Sequence, residues 1–242
     1  MEWTRRVDDA GDRLLRALLP TRCLLCGNAG AAGRDLCAGC QADLPRNTIC
    51  CARCALPLAH AAAQCGECLR REPAFSRAWA PFRYGHPLDL LEARFKFRRD
   101  LAAGRVLSEL LVESARGEPT LPLPQRLLCV PLHASRLRER GFNQALELAR
   151  PLARALDIPL DLQLLRRVRP TAAQTGLDAS ERRRNLRGAF AVVGSVGIPD
   201  HVAILDDVMT TGSTLNECAR VLRRAGVGQV DVWALARAPA RA

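Results

Sequence analysis

From residue 127 to the end, short solid apolar runs alternate with longer periodic segments. Leu127-Leu128-Cys129-Val130 and Val202-Ala203-Ile204-Leu205 contain no polar position, the pattern of strands buried on both faces. Val230 to Leu235 predicts a further strand, and residues 160–168 and 189–193 have strand character. Residues 143–156 and 213–224 repeat apolar residues at three- and four-residue spacing, as amphipathic helices do, and Gly226 closes the second. Pro151 falls inside the first of these helices, which predicts a kink or two helical pieces. Strand–helix alternation with solid apolar strands predicts an α/β fold, a parallel sheet flanked by helices.

Upstream, residues 78–84 read as a strand and residues 88–97 and 101–116 as helices, and Gly117 to Pro124 reads as an exposed connector. Residues 1–20 predict a short amphipathic helix stopped by Pro20. Residues 21–70 differ in kind: they lack long apolar runs and are rich in Cys, Gly and Ala. The expected organisation is an N-terminal helix over 1–20, a small domain over 21–70 and a larger domain over 71–242.

The small domain contains a repeat. Cys23-x-x-Cys26 is followed after ten residues by Cys37-x-x-Cys40, and Cys51-x-x-Cys54 after ten residues by Cys65-x-x-Cys68. Two such pairs can complete a tetrahedron of thiolates around one metal ion. The closed site leaves no position for water, so the expected role is structural, with two Zn²⁺ ions supplying much of the folding free energy of a segment with little core. Each repeat can hold its own ion, or the pairs can cross over. Cys51 keeps the repeat spacing and its neighbour Cys50 does not. Cys129, in a strand, and Cys218, in a helix, read as small core residues.

The formal net charge is +11, and Lys96 is the only lysine among the cations. That balance favours phosphate-rich partners and makes weak binding to single-stranded DNA an expectation. Lys96 reads as an exposed helix cation or a phosphate contact. No apolar window approaches a membrane span. The run Leu14 to Leu19 is short, interrupted by Arg16, and leads to no small-residue cleavage site. Dense cysteine then points to metal in a reducing, cytoplasmic compartment.

The strand Val202–Leu205 delivers Asp206 and Asp207 to the carboxyl edge of the sheet, where α/β proteins bind ligands. Thr210-Thr211-Gly212-Ser213-Thr214 follows and opens a helix. Backbone N–H groups at a helix start form an anion cradle, and Gly212 lets the backbone approach a phosphate. The carboxylates can accept hydrogen bonds from vicinal sugar hydroxyls or hold a divalent cation. A phosphate and a diol side by side are what a ribose 5-phosphate presents.

This segment resembles the phosphoribosyl-pyrophosphate (PRPP) signature of type I phosphoribosyltransferases. With the N-terminal cysteines, the stretch Pro131 to Gln144 and the stretch Arg169 to Leu177, the chain resembles the ComF family of competence-associated proteins from about Cys23 to Ala236. The resemblance implies a double zinc ribbon fused to a phosphoribosyltransferase type I domain that binds PRPP or ribose 5-phosphate with Mg²⁺. It places a pyrophosphate loop at Pro131 to Gly141, with Pro131, Leu132, His133, Arg136 and Arg140 as contacts. It places a closing loop at Arg169 to Asn185, with Arg169 and Gln174 in catalytic positions. It further implies an association with DNA uptake or use, and with other DNA-uptake proteins as partners. Transfer of a phosphoribosyl group to an acceptor is the first expectation. A single-stranded-DNA-binding module and a non-catalytic PRPP sensor are its rivals.

Overall fold

The computed structural model of the chain describes residues 21–169, 184–194 and 197–240, the side chains of residues 139 and 140 apart. The helix expected over 1–20 lies outside these residues. The chain divides into two compact units. One takes residues up to Leu44 together with His86–Val106, and the other takes Pro45–Gly85 and Leu107–Ala242. Among the described residues, no helix is long and apolar enough to cross a membrane.

The first unit carries the first cysteine repeat. Cys37 caps a one-turn helix, Ala38–Ala42 (α1). The second unit has the equivalent turn, Gly66–Arg70 (α2). In the first unit Leu88–Arg98 (α3) buries Leu88, Leu91 and Phe95 and stops at Arg99, whose φ of 53° is left-handed. Arg94 ties the end of α3 to the first repeat: its Nε donates to Asp100 at 2.9 Å and its Nη1 to the Leu24 carbonyl at 2.7 Å. Lys96 is not an exposed cation. Its Nζ lies 3.3 Å from the carboxylate of Glu92, which is fully buried one turn earlier on α3. A carboxylate at that depth requires a cation beside it. Leu101–Arg116 (α4) follows.

The second unit is built on a parallel sheet. Its strands are Arg77–Trp79 (β1), Phe82–Arg83 (β2), Arg126–Cys129 (β3), His201–Met209 (β6) and Gln229–Arg237 (β7). The order is β1-β7-β6-β3, with β2 also on β7, and every pairing is parallel. The single strand expected over 78–84 is two pieces, because Pro81 has no N–H to give to a ladder. The Asn47 side chain and backbone take up the carbonyls of Ala80 and Pro81 there.

Gln144–Leu156 (α6) covers one face with buried Leu148, Ala149, Leu152 and Ala153. It is one helix through Pro151, not two pieces. Proline removes a single intrahelical donor, and the buried face outweighs that loss at roughly 1.5–3 kcal/mol per large apolar side chain. Beyond one parallel bridge from Leu160 to Leu127 of β3, residues 160–168 and 189–193 add no strand to the main sheet. Leu165–Arg167 (β4) and Phe190–Val192 (β5) form a separate antiparallel ribbon. Ser213–Arg224 (α7) packs Leu215, Cys218, Ala219 and Leu222 inward and ends before Gly226, which has φ 105°.

The second cysteine repeat belongs to this core. Cys51, Cys54, Cys65 and Cys68 share one buried cluster with Phe75 and with the inner side chains of β6, β7 and α7.

Candidate functional site

The strand β6 runs four residues past its apolar stretch. Asp206 pairs with Ala234 and Met209 with Arg237, so both aspartates lie within the strand rather than beyond its end. They are half-buried, not fully solvent-facing. Asp206 Oδ1 accepts the Asp207 N–H at 2.9 Å, and Asp207 Oδ1 accepts the Val208 N–H at 2.6 Å.

Thr210 and Thr211 are exposed at the tip that follows. Gly212 is the N-cap of α7 in the left-handed region, φ 72°. Thr211 Oγ1 accepts the Ser213 N–H at 3.3 Å and lies 2.9 Å from Ser213 Oγ. Strand, carboxylate pair, hydroxyl-rich turn and helix start are therefore contiguous, as the sequence predicts. The sequence assigned Gly212 the role of admitting a ligand. Its positive φ is a second, independent demand for glycine.

Beneath this turn lies Arg237, which the sequence reading passed over. It is 6% exposed. Its Nη1 donates to the carbonyls of Met209 (3.0 Å), Ala238 (2.9 Å) and Thr210, and its Nε to the carbonyl of Cys54 at 3.1 Å. Burial pulls its pKa down, and the sulfurs of Cys54, Cys65 and Cys68 oppose that shift. The only local signal was an arginine closing the apolar run Val232 to Ala236. Nothing in that strand tells which carbonyls it meets.

The stretch assigned to pyrophosphate is a loop leading into Ala134–Arg140 (α5). Pro131, Leu132 and His133 are half-buried. His133 caps α5, with Nδ1 accepting the Ser135 N–H at 3.3 Å and lying 2.8 Å from Ser135 Oγ. Asn143 holds the far end, its Nδ2 donating to the Val130 carbonyl at 3.1 Å. Arg136 lies on α5, and the side chain of Arg140 is outside the described residues. Arg169 is exposed at the start of the closing segment, whereas Gln174 falls outside the described residues.

A second arginine was also missed. Arg167, on β4, lies 5.4 Å over the Phe190 ring. Burial lowers its pKa most, Cys218 and Asp206 raise it, and Arg136 lowers it further. Its guanidinium therefore feels both the β6 carboxylate and an arginine of α5. Cys129 and Cys218 are core thiols, as expected. Burial and then the nearby Asp206 charge push Cys129 up to about 12 and Cys218 well above its ordinary value.

The eight repeat cysteines form two local clusters, Cys23–Cys26–Cys37–Cys40 and Cys51–Cys54–Cys65–Cys68, without crossover. In each cluster the sulfurs lie within 4.8 Å of one another. Cys26 and Cys37 sulfurs are 3.6 Å apart, as are those of Cys54 and Cys65. A tetrahedron with bonds of about 2.3 Å has edges of about 3.8 Å, so the sulfurs fit one zinc ion each. Backbone donors reinforce the fit: the Cys40 N–H meets Cys37 Sγ at 3.4 Å and the Cys65 N–H meets Cys51 Sγ at 3.2 Å.

Against the burial that raises every such thiol, N–H donors bring Cys23 down to about 6 and hold Cys51 below its usual value. Burial and neighbouring sulfurs push Cys40 and Cys68 up. Four thiols held this close cannot all ionise alone, and a divalent ion reverses that. The clusters support structural zinc. Cys50 is in neither cluster. The clusters differ in depth: Cys26 is exposed, whereas all four sulfur residues of the second are buried.

Residues 14–69 match the family described as double zinc ribbon domain, and residues 143–242 match the phosphoribosyl transferase domain. The chain is 41% identical over 223 residues to Competence protein F of Haemophilus influenzae, covering 90% of this chain and 97% of that protein. It is 39% identical over 223 residues to the DNA utilization protein YhgH of Escherichia coli (strain K12), covering 90% and 98%. Among solved structures it resembles a glutamine phosphoribosylpyrophosphate amidotransferase from B. subtilis complexed with ADP and GMP. The TM-score is 0.35 at 19% identity, covering 53% of this chain and 25% of that one.

Proposed function

The chain belongs to the ComF family, a double zinc ribbon joined to a phosphoribosyltransferase domain, and from that membership we propose that it binds PRPP and transfers its phosphoribosyl group. The observation that carries this reading is the succession of Asp206, Asp207, the Thr210–Thr214 turn and the start of α7 on one strand end. Asp206 and Asp207 accept hydrogen bonds from the ribose hydroxyls. The turn receives the 5-phosphate through backbone N–H groups and the hydroxyls of Thr210, Thr211, Ser213 and Thr214.

Arg136, with Pro131, Leu132, His133 and Arg140 in the same stretch, meets the pyrophosphate as it leaves and the ribose becomes oxocarbenium-like. Arg169 and Gln174 belong to the segment that closes over the ligand and excludes water. The carboxylates also supply hard oxygen donors suited to Mg²⁺, which when bound would neutralise pyrophosphate charge.

Competence and DNA utilisation in the relatives' names support a role in DNA uptake or use, and the dense cysteine suits a reducing, cytoplasmic setting. The charge of +11 favours a second activity, weak binding of single-stranded DNA.

Calorimetry of the full chain with PRPP and Mg²⁺ tests the site. A Mg²⁺-dependent binding heat that Asp206→Ala/Asp207→Ala abolishes supports it. No heat, or equal heat from the double variant, removes it. Acceptor-dependent release of pyrophosphate then separates transfer from sensing.

A further inference from the structure

We propose that Arg237 is the positioning residue of the phosphate loop, and that through it the second thiolate cluster, but not the first, sets the loop's shape. The proposal rests on the reading of Thr210–Thr214 as that loop.

A peptide unit is planar and trans, so its C=O and its N–H point in opposite directions. Arg237 draws the carbonyls of Met209 and Thr210 inward onto one guanidinium nitrogen. The N–H groups of the same two peptide units, those of Thr210 and Thr211, are thereby turned the other way. An anion on the outer side of the turn meets these N–H groups together with those at the start of α7. The Met209 carbonyl is doubly held, since the Ala238 N–H also donates to it at 3.0 Å. Arg237 thus fixes donors for a ligand that it never touches.

The guanidinium is itself held from the other side. Its Nε donates to the carbonyl of Cys54, a member of the second cluster. That carbonyl sits in a tight knuckle: the Ala55 N–H donates to the Cys51 carbonyl at 2.8 Å, and Ala55 takes a left-handed φ of 54°. A non-glycine residue holds that conformation only where its surroundings over-determine it. A metal ion bound by Cys51 and Cys54 closes this knuckle. Without it, the Cys54 carbonyl is no longer fixed, and a buried guanidinium loses an acceptor and the neighbouring thiolate charge. The first cluster lies in the other compact unit and serves as the internal control.

Hydrogen exchange of the full chain, read in the peptides covering 206–216, tests this without any ligand. Arg237→Lys keeps the charge but loses the planar fork. It should raise exchange by about tenfold, the equivalent of one lost charged hydrogen bond, at Ser213 and Asn216, whose N–H groups are bonded across the turn to Thr211 Oγ1 and the Gly212 carbonyl, while peptides from the middle of β7 keep wild-type protection and two zinc ions are retained. Cys68→Ser should do the same, with one zinc ion lost. Cys40→Ser should lose one zinc ion and leave the loop unchanged.

Unchanged exchange in Arg237→Lys, or equal loosening from Cys40→Ser and Cys68→Ser, overturns the proposal. Should Cys68→Ser fail to fold, wild-type protein decides by reciprocity. Saturating ribose 5-phosphate should slow the release of the second cluster's zinc ion to a chelator and leave that of the first unaffected, and a second-cluster rate that the ligand leaves unchanged overturns it. Wild-type protein that binds no ribose 5-phosphate counts against the proposed function, while the exchange result still decides the role of Arg237.

Discussion

A Cβ placed on Gly212 would come within 2.6 Å of the Met209 Cε. The glycine that opens α7 and the methionine that ends β6 are therefore fitted to each other across the turn. Gly212→Ala has two costs, the left-handed φ of 72° and a displaced methionine tip. The methionine end is flexible and can move, so the backbone dominates, at about 1–2 kcal/mol. Thermal melting should show that loss. Met209→Ala/Gly212→Ala should recover little of the alanine strain, and full recovery would make the methionine contact the main cost. Gly212→Val should be worse than alanine, because a β-branched residue at positive φ is a backbone outlier.

The two thiolate clusters should differ in lability. Elemental analysis should find two zinc ions per chain. Cys50→Ser should leave that count unchanged, because Cys50 is in neither cluster, and Cys51→Ser should lower it by one. A chelator should strip the Cys23–Cys40 site first, because Cys26 is exposed, and the buried Cys51–Cys68 site more slowly. Simultaneous loss of both ions would contradict the difference in depth.

The repeat made the clusters legible because a metal knuckle is local: both halves of each ligand pair lie within a few residues. The turn of Thr210–Thr214 was legible for the same reason. What the sequence concealed is pairing between distant strands. The apolar run of β6 stops at Leu205, yet the strand continues to Met209 because β7 stays available as its partner through Arg237. The burial of Arg237 follows from that same pairing. Residues 165–167 and 190–192 have strand composition, but composition does not say which sheet a strand joins. Lys96 was misread because its partner Glu92 is an acid on the inner face of its helix.

Asp161 gives a pH-dependent expectation. Its Oδ1 accepts the N–H groups of Gln163 (2.8 Å) and Leu164 (3.0 Å), and its Oδ2 accepts Arg126 Nη1 at 2.8 Å. Burial pushes the carboxyl up, but these donors outweigh it and hold the pKa below the usual value. A carboxyl whose folded pKa is depressed contributes stability above its unfolded pKa of about 3.9, and that contribution fades as pH falls through the folded value. Asp161→Asn should therefore lower stability by on the order of 1–2 kcal/mol at neutral pH. Urea unfolding should show the difference shrinking as the pH falls below about 4. An equal loss at both pH values would assign the effect to the shape of the turn instead of its charge.

Single-stranded DNA should bind weakly and without marked sequence preference, and the affinity should fall steeply between low and physiological salt as counterions are released. Fluorescence anisotropy across a salt series measures the slope. No binding at low salt, or an affinity indifferent to salt, would remove the DNA reading. A slope unchanged in Arg70→Ala/Arg71→Ala, two exposed cations beside the second cysteine repeat, would place the contacts outside that stretch.

Thr211→Val separates the two jobs of one hydroxyl. In the free protein Thr211 Oγ1 accepts the Ser213 N–H and lies beside Ser213 Oγ. Valine keeps the volume and deletes both interactions. The loss of this helix-start contact should cost on the order of 0.5–1 kcal/mol of stability, the low end for a capping group, because Thr211 is exposed and water replaces the contact. Loss of a hydrogen bond to a charged phosphate should cost more, roughly 1.5–3 kcal/mol, or about ten- to a hundred-fold in ribose 5-phosphate affinity. Denaturation and calorimetry on the same variant give the two numbers. If affinity falls no further than stability predicts, the hydroxyl is only a cap and the phosphate sits elsewhere on the turn. If affinity falls tenfold or more while the melting curve barely moves, Thr211 donates to the phosphate directly.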